Sequence, residues 1–251
     1  VMYEPDDYEK HIRDTLESGD GLCNREVVEM VVKEAPSQIR QLIDWGVEFD
    51  RNETGRYELG REGGHSEYRV LHHKDNTGEE IQNKLVQMVK NHPNIEILEY
   101  HFAVDILTQH HLGRKVTRSH TDIECYGAYV LDLQTSEVDT VLAKATVIAT
   151  GGTGNLYETT TNLGIATGDG IAMVYRAKGI IENMEFIQFH PTALYQPGER
   201  PAFLITEALR GFGALLRNTD GSEFMKKYDK RGCLAPRHVV ARASDNEMKK
   251  R

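Results

Sequence analysis

The stretch that decides the fold reads ATVIATGGTG, residues 145–154. An apolar run with β-branched residues leads straight into a glycine-rich turn. This pattern is typical of the edge of an α/β sheet, where the phosphates and ribose of a dinucleotide approach the backbone. Gly168-Asp169-Gly170 then precedes a predicted helix over 171–178, and the free amides at a helix N-terminus favour a pyrophosphate. Each feature alone also fits an ordinary turn or helix cap, so together they predict an α/β fold without fixing the ligand.

Caps and apolar spacing predict helices in the early part of the chain. One helix is predicted over about 6–17, a second is capped by Asn24, and a third begins at Pro36 and ends at Gly46. Thr77-Gly78-Glu79-Glu80 fits a capping box that opens a fourth helix. The buried stripe of this helix is predicted to comprise Ile81, Leu85, Met88 and Val89. Strands are predicted within 95–109, 127–133 and 140–150.

Composition excludes several functional classes. The net charge of -9 over 251 residues argues against nucleic acid, because the basic residues are scattered among acids. No apolar run approaches the roughly 20 residues of a membrane span, and the acidic start differs from a signal peptide, so we expect no membrane partner and a cytoplasmic location. The three cysteines form no CxxC pair, and the histidines lack the spacing of a metal site. We therefore predict no disulfide framework and no metal.

Reactive side chains are concentrated in residues 183–243. Three clusters, 188–192, 206–211 and 236–238, supply an imidazole, a carboxylate, hydroxyls and guanidinium groups. These groups are suited to holding a small dicarboxylate and moving a proton on it. A further polar segment, Arg61-Glu62-Gly63-Gly64-His65-Ser66, lets the backbone pass close to a bulky group, although a tight turn explains its glycines equally well.

Three segments, 149–152, 166–173 and 184–192, resemble in order and spacing the flavoprotein subunits of succinate dehydrogenase and fumarate reductase and their relatives, the L-aspartate oxidases. Within that group, residues 61–66, 91–95 and 206–211 look like L-aspartate oxidase. The resemblance implies FAD-dependent oxidation of L-aspartate to iminoaspartate, with oxygen or fumarate as acceptor, as the first step toward quinolinate in NAD biosynthesis. It also implies dicarboxylate ligands, L-aspartate and fumarate, and suggests quinolinate synthase as a partner.

The resemblance also implies an architecture. Residues 1–184 are expected to be the central part of an FAD-binding Rossmann-like domain, and residues 185–251 part of a capping domain. The family opens with a βαβ unit bearing G-x-G-x-x-G, which no segment of this chain matches. We therefore expect an internal fragment of a larger enzyme.

Individual roles are carried over position by position. The residues implied to contact FAD are Phe102, Ala103, Thr150, Gly151, Gly152 and Asp169. Those implied to bind the substrate are Glu62, Gln188, His190, Thr206 and Glu207, with Glu62 on the α-ammonium group. Arg237, Glu207 and His190 are implied to act in catalysis. Arginine is a poor base in water, so Arg237 requires a coupled carboxylate such as Glu207 if it moves a proton, and the sequence leaves open whether it is a base or an electrostatic clamp.

Two alternatives remain open from the sequence. The first is that the chain is part of a succinate dehydrogenase or fumarate reductase flavoprotein, which Glu62 disfavours. The second is that it is a catalytically inert folded or binding module. The segment 210–213 reads Arg-Gly-Phe-Gly where the family usually has Arg-Gly-Glu-Gly. Phe212 therefore cannot supply the carboxylate of that motif.

Overall fold

The computed structural model describes residues 1–250, which form two compact units. The first unit comprises residues 1–95, 188–193 and those from 204 onward, and the second comprises 96–187 and 194–203. The helices are α1 (Tyr8–Ser18), α2 (Arg25–Asp44), α3 (Thr77–Asn91), α4 (Asp169–Arg176), α5 (Ala208–Gly211) and α6 (Arg237–Lys249). The strands are β1 (Leu59–Gly60), β2 (Val70–Leu71), β3 (His101–Thr108), β4 (Cys125–Asp132) and β5 (Val138–Leu142). The mixed helix and sheet content confirms the predicted fold class, whereas the assignment of FAD-binding and capping roles to 1–184 and 185–251 stays a prediction.

The predicted N-cap of the second helix is present, but Pro36 does not begin a helix. The Asn24 side chain caps α2 by accepting a hydrogen bond from the Val27 amide at 3.3 Å. Helix α2 then runs through Pro36, which is buried inside it. An interior proline lacks a backbone donor and is costly, so burial of this apolar face overrides the local preference. Gly46 ends the helix as predicted, with φ of +95° that favours glycine.

The capping box predicted at the start of α3 is absent. Asn76 is the N-cap and makes no side-chain cap hydrogen bond, while the Thr77 hydroxyl accepts from the His73 amide at 3.0 Å. Helix α3 also has no fully buried residue, and Met88 is exposed. The predicted stripe is therefore only half-buried.

The second unit is built on the antiparallel sheet β3-β4-β5. The strand predicted over 140–150 coincides with β5 only as far as Leu142, and residues 143–150 form no ladder. Val147 is 87% exposed, since no other strand among the described residues pairs with this extended segment. Helix α4 packs on β3 through Arg176, whose Nη2 donates to the Val104 carbonyl at 2.8 Å.

The main apolar cluster of the first unit surrounds α6. It comprises Phe224, Met225, Cys233, Ala235, Val240 and Ala243, all buried. Burial of the inner face of α6 fixes the position of Arg237, the first residue of this helix. The core of this unit therefore determines where the Arg237 side chain starts.

Candidate active site

A cavity of about 320 Å³ lies within the first unit. It is lined by Asp14, Thr15, Ser18, Glu62, Gly63, Gly64, His65, Gln188, Glu207, Pro236, Arg237 and His238. Four of the predicted substrate or catalytic residues, Glu62, Gln188, Glu207 and Arg237, are therefore brought together. These walls of the cavity come from the 61–66 segment, the segment at 188, the start of α5 and the start of α6.

The Glu207 carboxylate lies at the centre of the contacts made by the predicted site residues. The residue is 5% exposed and immediately precedes α5. Its Oε2 accepts a hydrogen bond from Arg237 Nε at 2.5 Å, and its Oε1 accepts one from the Gly63 amide at 3.2 Å. Arg210 Nη2 also lies 3.5 Å from Glu207 Oε1. One buried carboxylate thus faces two guanidinium groups and is held between them.

Arg237 reaches across the cavity from the start of α6. Besides Glu207, its Nη1 donates to Gln188 Oε1 at 3.2 Å, and its Nη2 lies 4.0 Å from Glu62 Oε2. Its side chain remains 39% exposed. The guanidinium is therefore held in one orientation while part of it stays accessible to a ligand.

His190 and Thr206 are held nearby by local contacts. His190 Nδ1 lies 2.8 Å from the Thr192 carbonyl, and the Thr206 hydroxyl accepts from the Ala208 amide at 3.3 Å. Burial lowers the pKa of His190, and the charge of Arg237 lowers it further despite the backbone contact at Thr192. Neither residue is among those that line the cavity within residues 1–250. Their predicted substrate contacts stay predictions.

A buried ion network that the sequence did not reveal supports the 61–66 segment. Arg69 donates from Nε and Nη2 to the two oxygens of Asp6 at 3.0 and 2.6 Å, and from Nη1 to Asp14 Oδ2 at 2.6 Å. All three residues are less than 9% exposed. Asp14 Oδ2 also accepts from the Ser66 amide at 2.8 Å and the Ser66 hydroxyl at 2.7 Å. The end of the 61–66 segment is thereby tied to α1.

The same surroundings act on two histidines beside this network. Burial lowers the pKa of His11 to about 4, with the charge of Arg69 as the second cause. Burial and Arg69 also lower the pKa of His65, whose Nδ1 lies 3.4 Å from Arg69 Nη1. Protonation of either ring would place a second positive charge next to the buried guanidinium of Arg69.

Arg210 is a second residue that the sequence reading left without a role. It is 3% exposed, and its Nη1 donates to the Cys233 carbonyl at 2.9 Å. Its Nε and Nη2 have no hydrogen-bond partner within residues 1–250. The signal was present in the sequence, since Arg210 stands one helical turn after Glu207.

The residues predicted to contact the cofactor lie in the second unit. The Thr150 hydroxyl accepts from the Gly170 amide at 3.1 Å, and the Gly152 carbonyl accepts from the Gly168 amide at 3.1 Å. Thr167 donates its hydroxyl to Asp169 Oδ2 at 3.0 Å. Thr150, Gly152 and Asp169 are therefore grouped at the N-terminus of α4.

The backbone around this helix N-terminus is open. A methyl group at Gly151, which has φ of +71°, or at Gly152 would meet no atom within 4 Å. Phe102 and Ala103 lie in β3, whose hydrogen bonds to α4 run through Arg176 at the opposite end of the helix. Contact of these two residues with the same ligand stays a prediction.

Residues 1–250 contain neither a metal-binding cluster nor a membrane-spanning helix. No group of three or more His, Cys, Asp or Glu residues has the geometry to hold a metal ion. No helix in this part of the chain has the length and apolar content of a membrane span.

Comparison with known proteins places these features in context. A family model described as an FAD binding domain matches residues 1–251. The chain is 48% identical over 258 residues to L-aspartate oxidase 2-a, chloroplastic, of Nicotiana tabacum, covering 100% of this chain and 39% of that protein. It is also 48% identical to the L-aspartate oxidase of Yersinia pestis, covering 100% of this chain and 46% of that protein. The chain thus spans less than half the length of these curated relatives.

Solved structures share the fold. The chain matches a quinol fumarate reductase of E. coli with a TM-score of 0.86 and 31% sequence identity, covering 100% of this chain and 42% of that one. It matches Mycobacterium smegmatis Sdh1 in complex with UQ1 with a TM-score of 0.71 and 32% identity, covering 98% of this chain and 41% of that one. The predicted resemblance to the succinate dehydrogenase, fumarate reductase and L-aspartate oxidase group is confirmed.

Proposed function

The chain belongs to the family of FAD binding domains, and from this premise we propose that it forms part of an enzyme that oxidises L-aspartate to iminoaspartate. Oxygen or fumarate is the proposed acceptor, and the product enters quinolinate synthesis in NAD biosynthesis. The observation that carries the proposal is the cavity of the first unit, where Glu62, Gln188, Glu207 and Arg237 converge.

The charges of this cavity match those of L-aspartate. An α-amino dicarboxylate presents two carboxylates and one ammonium group. Arg237 provides a partly exposed guanidinium for a carboxylate, and Glu62 provides a half-exposed carboxylate for the ammonium. Gln188, already bonded to Arg237, offers a neutral amide that orients the ligand. Fumarate and succinate have no ammonium, so Glu62 is the residue that favours the amino acid.

Arg237 is the proposed proton acceptor. FAD, held by the residues named below, would supply the redox chemistry as the hydride acceptor. The chain's own task is to remove a proton and hold the charge that develops. A cationic guanidinium has no lone pair for a substrate proton, so Arg237 accepts one only after passing a proton of its own to Glu207, which is hydrogen-bonded to its Nε. Arg210, on the other side of Glu207, pairs with the same carboxylate.

The second unit fits FAD through its backbone. The open space at Gly151 and Gly152 leaves room for a phosphate or ribose close to the main chain. A methyl group at Gly170 would lie 2.1 Å from Thr150 Oγ1, so only glycine lets the start of α4 approach this segment. Thr150, Gly151, Gly152 and Asp169 are the proposed FAD-contacting residues, with Phe102 and Ala103 assigned on the resemblance.

A fumarate reductase or succinate dehydrogenase flavoprotein is the second candidate, favoured by the similarity in fold to the E. coli quinol fumarate reductase. The higher identity to L-aspartate oxidases, together with Glu62 in the cavity, supports the first candidate. Quinolinate synthase as partner, a cytoplasmic location, and the division into FAD-binding residues 1–184 and capping residues 185–251 remain proposals that follow from the resemblance.

The test is product formation by the complete FAD-loaded protein. L-Aspartate is expected to yield ammonia and oxaloacetate, the hydrolysis products of iminoaspartate, with hydrogen peroxide when oxygen is the acceptor. Glu62→Gln should weaken the apparent affinity for L-aspartate by about tenfold or more, because it removes the charge that faces the ammonium. Turnover of succinate with no turnover of L-aspartate would refute the proposal.

A further inference from the structure

Asp14 stands out because it is a buried carboxylate, two of whose three hydrogen bonds lead to the segment that carries Glu62. It is 7% exposed on α1 and lines the cavity. A single oxygen, Oδ2, accepts from the Ser66 amide, the Ser66 hydroxyl and Arg69 Nη1, at 2.6 to 2.8 Å. Three donors on one oxygen, one of them charged, fix the position of Ser66 relative to the helix.

The 61–66 segment is also contacted on its other side, by Glu207 and by Ser18 of α1. The Gly63 amide donates to Glu207, and a methyl group at Gly63 would lie 2.7 Å from Glu207 Oε1. A methyl group at Gly64 would lie 2.8 Å from the Ser18 hydroxyl of α1. The two glycines therefore fill a narrow gap between α1 and Glu207. Glu62 is attached directly to this clamped turn, and the His65 amide closes the turn on the Glu62 carbonyl at 3.2 Å.

Arg69 fixes the side chain of Asp14 against Ser66. It bonds both oxygens of Asp6 as well as Asp14, so Asp14 cannot rotate away from Ser66 without breaking a buried ion pair. His11 and His65 also face this cluster, and the pKa of each is lowered, with burial as the largest cause. Asp14 is therefore held from both sides by Ser66 and by the Arg69–Asp6 pair.

We propose that Asp14 is a positioning residue: through Ser66 it holds the 61–66 turn so that the Glu62 carboxylate faces the substrate's α-ammonium group, and it thereby sets the preference for an amino dicarboxylate over one without the amino group. The inference rests on the function proposed above. Asp14 itself makes no contact with the reacting atoms. Its effect is expected in ligand selectivity and not in the chemical step.

The experiment compares two constants in the complete FAD-loaded protein: KM for L-aspartate, and the inhibition constant of succinate, which has the same chain length without the ammonium. Ser66→Ala removes one hydrogen bond to Asp14 and leaves the Asp14–Arg69 pair in place. The matched control is Ser222→Ala, because the amide and hydroxyl of Ser222 bond Asp220 Oδ1 at 2.8 and 2.6 Å in the same way, far from the cavity-lining residues.

Ser66→Ala is expected to raise KM for L-aspartate about tenfold, with the succinate constant changed less than about twofold, and Ser222→Ala to change neither. Asp14→Asn removes the charge that pairs with Arg69, so the loss should be larger. Combining Asp14→Asn with Glu62→Gln should give no more loss of L-aspartate selectivity than Glu62→Gln alone, since both act through one group. FAD content and thermal midpoint are measured in every variant.

Four results would each overturn the inference. Equal weakening of L-aspartate and succinate in Ser66→Ala, or additive effects in the double variant, would overturn the inference and leave Asp14 a structural residue. A selective loss in Glu62→Gln without one in Ser66→Ala would overturn the positioning role of Asp14 and leave the proposed ammonium site standing. No selective loss in Glu62→Gln itself would overturn the proposed ammonium site, and the positioning role with it.

Discussion

Removal of Arg69 should destabilise the protein far more than removal of an exposed arginine. In Arg69→Leu, Asp6 and Asp14 keep their buried positions and lose three charged hydrogen bonds of 2.6 to 3.0 Å. Breaking a buried ion pair from one side costs about 3–5 kcal/mol, because an uncompensated charge remains. The matched control is Arg217→Leu, in the same unit, whose pair with Glu223 is 55% and 41% exposed. Such an exposed pair contributes about 0–1 kcal/mol.

The assay is urea unfolding of the complete protein, measured as a function of pH. Burial raises the pKa of Asp14, but its bonds to Ser66 and Arg69 outweigh burial, so the pKa lies below that of an unfolded aspartate. A carboxyl with a depressed pKa stabilises the fold above the unfolded value and loses this contribution as pH falls through the folded value. The difference between wild type and Arg69→Leu should therefore be full at neutral pH and shrink below about pH 4. An Arg69→Leu protein as stable as Arg217→Leu at pH 7 would refute the account.

Three further outcomes are expected in the complete protein. Arg237→Leu should bind FAD normally yet lower the rate of flavin reduction by L-aspartate by about 100-fold or more, whereas Arg231→Leu, which removes an exposed pair with Asp229, should not. Gly63→Ala, which brings a methyl group to 2.7 Å from Glu207 Oε1, should lower the free energy of unfolding by about 1–3 kcal/mol, and Gly78→Ala, with open space in α3, should not lower it. Gly170→Ala should weaken FAD binding in a titration of the apoprotein, because the methyl group would meet Thr150 and Ile148, while Gly164→Ala, which meets nothing within 4 Å, should bind FAD like wild type.

Local signals in the sequence predicted local structure well. Asn24 caps α2 because its side chain needs only an amide three residues on. Gly46 ends the same helix because its left-handed backbone suits glycine. Pro36 was wrong as a helix start because packing of the whole helix outweighs one missing backbone donor. The strand prediction was wrong beyond Leu142 because a strand requires a paired neighbour, and the sequence of one segment does not show which segment it pairs with.

The candidate site also contains residues that the sequence predicted and residues that only the structure revealed. The resemblance identified Glu62, Gln188, Glu207 and Arg237, and the structure brings them together in one cavity. It did not identify Asp14, whose partner Arg69 is 55 residues further along the chain. An aspartate on a short helix and an isolated arginine carry no shared pattern, so only the fold reveals that they pair. The supporting residues of a site are therefore harder to predict than those that face the ligand.

The central claim is that the cavity containing Glu62 and Arg237 selects L-aspartate for oxidation. The most direct measurement is anaerobic rapid mixing of the complete FAD-loaded protein with L-aspartate or with succinate, followed by the flavin absorbance. The account predicts rapid bleaching by L-aspartate and little or none by succinate. Rapid bleaching by succinate without bleaching by L-aspartate would contradict it.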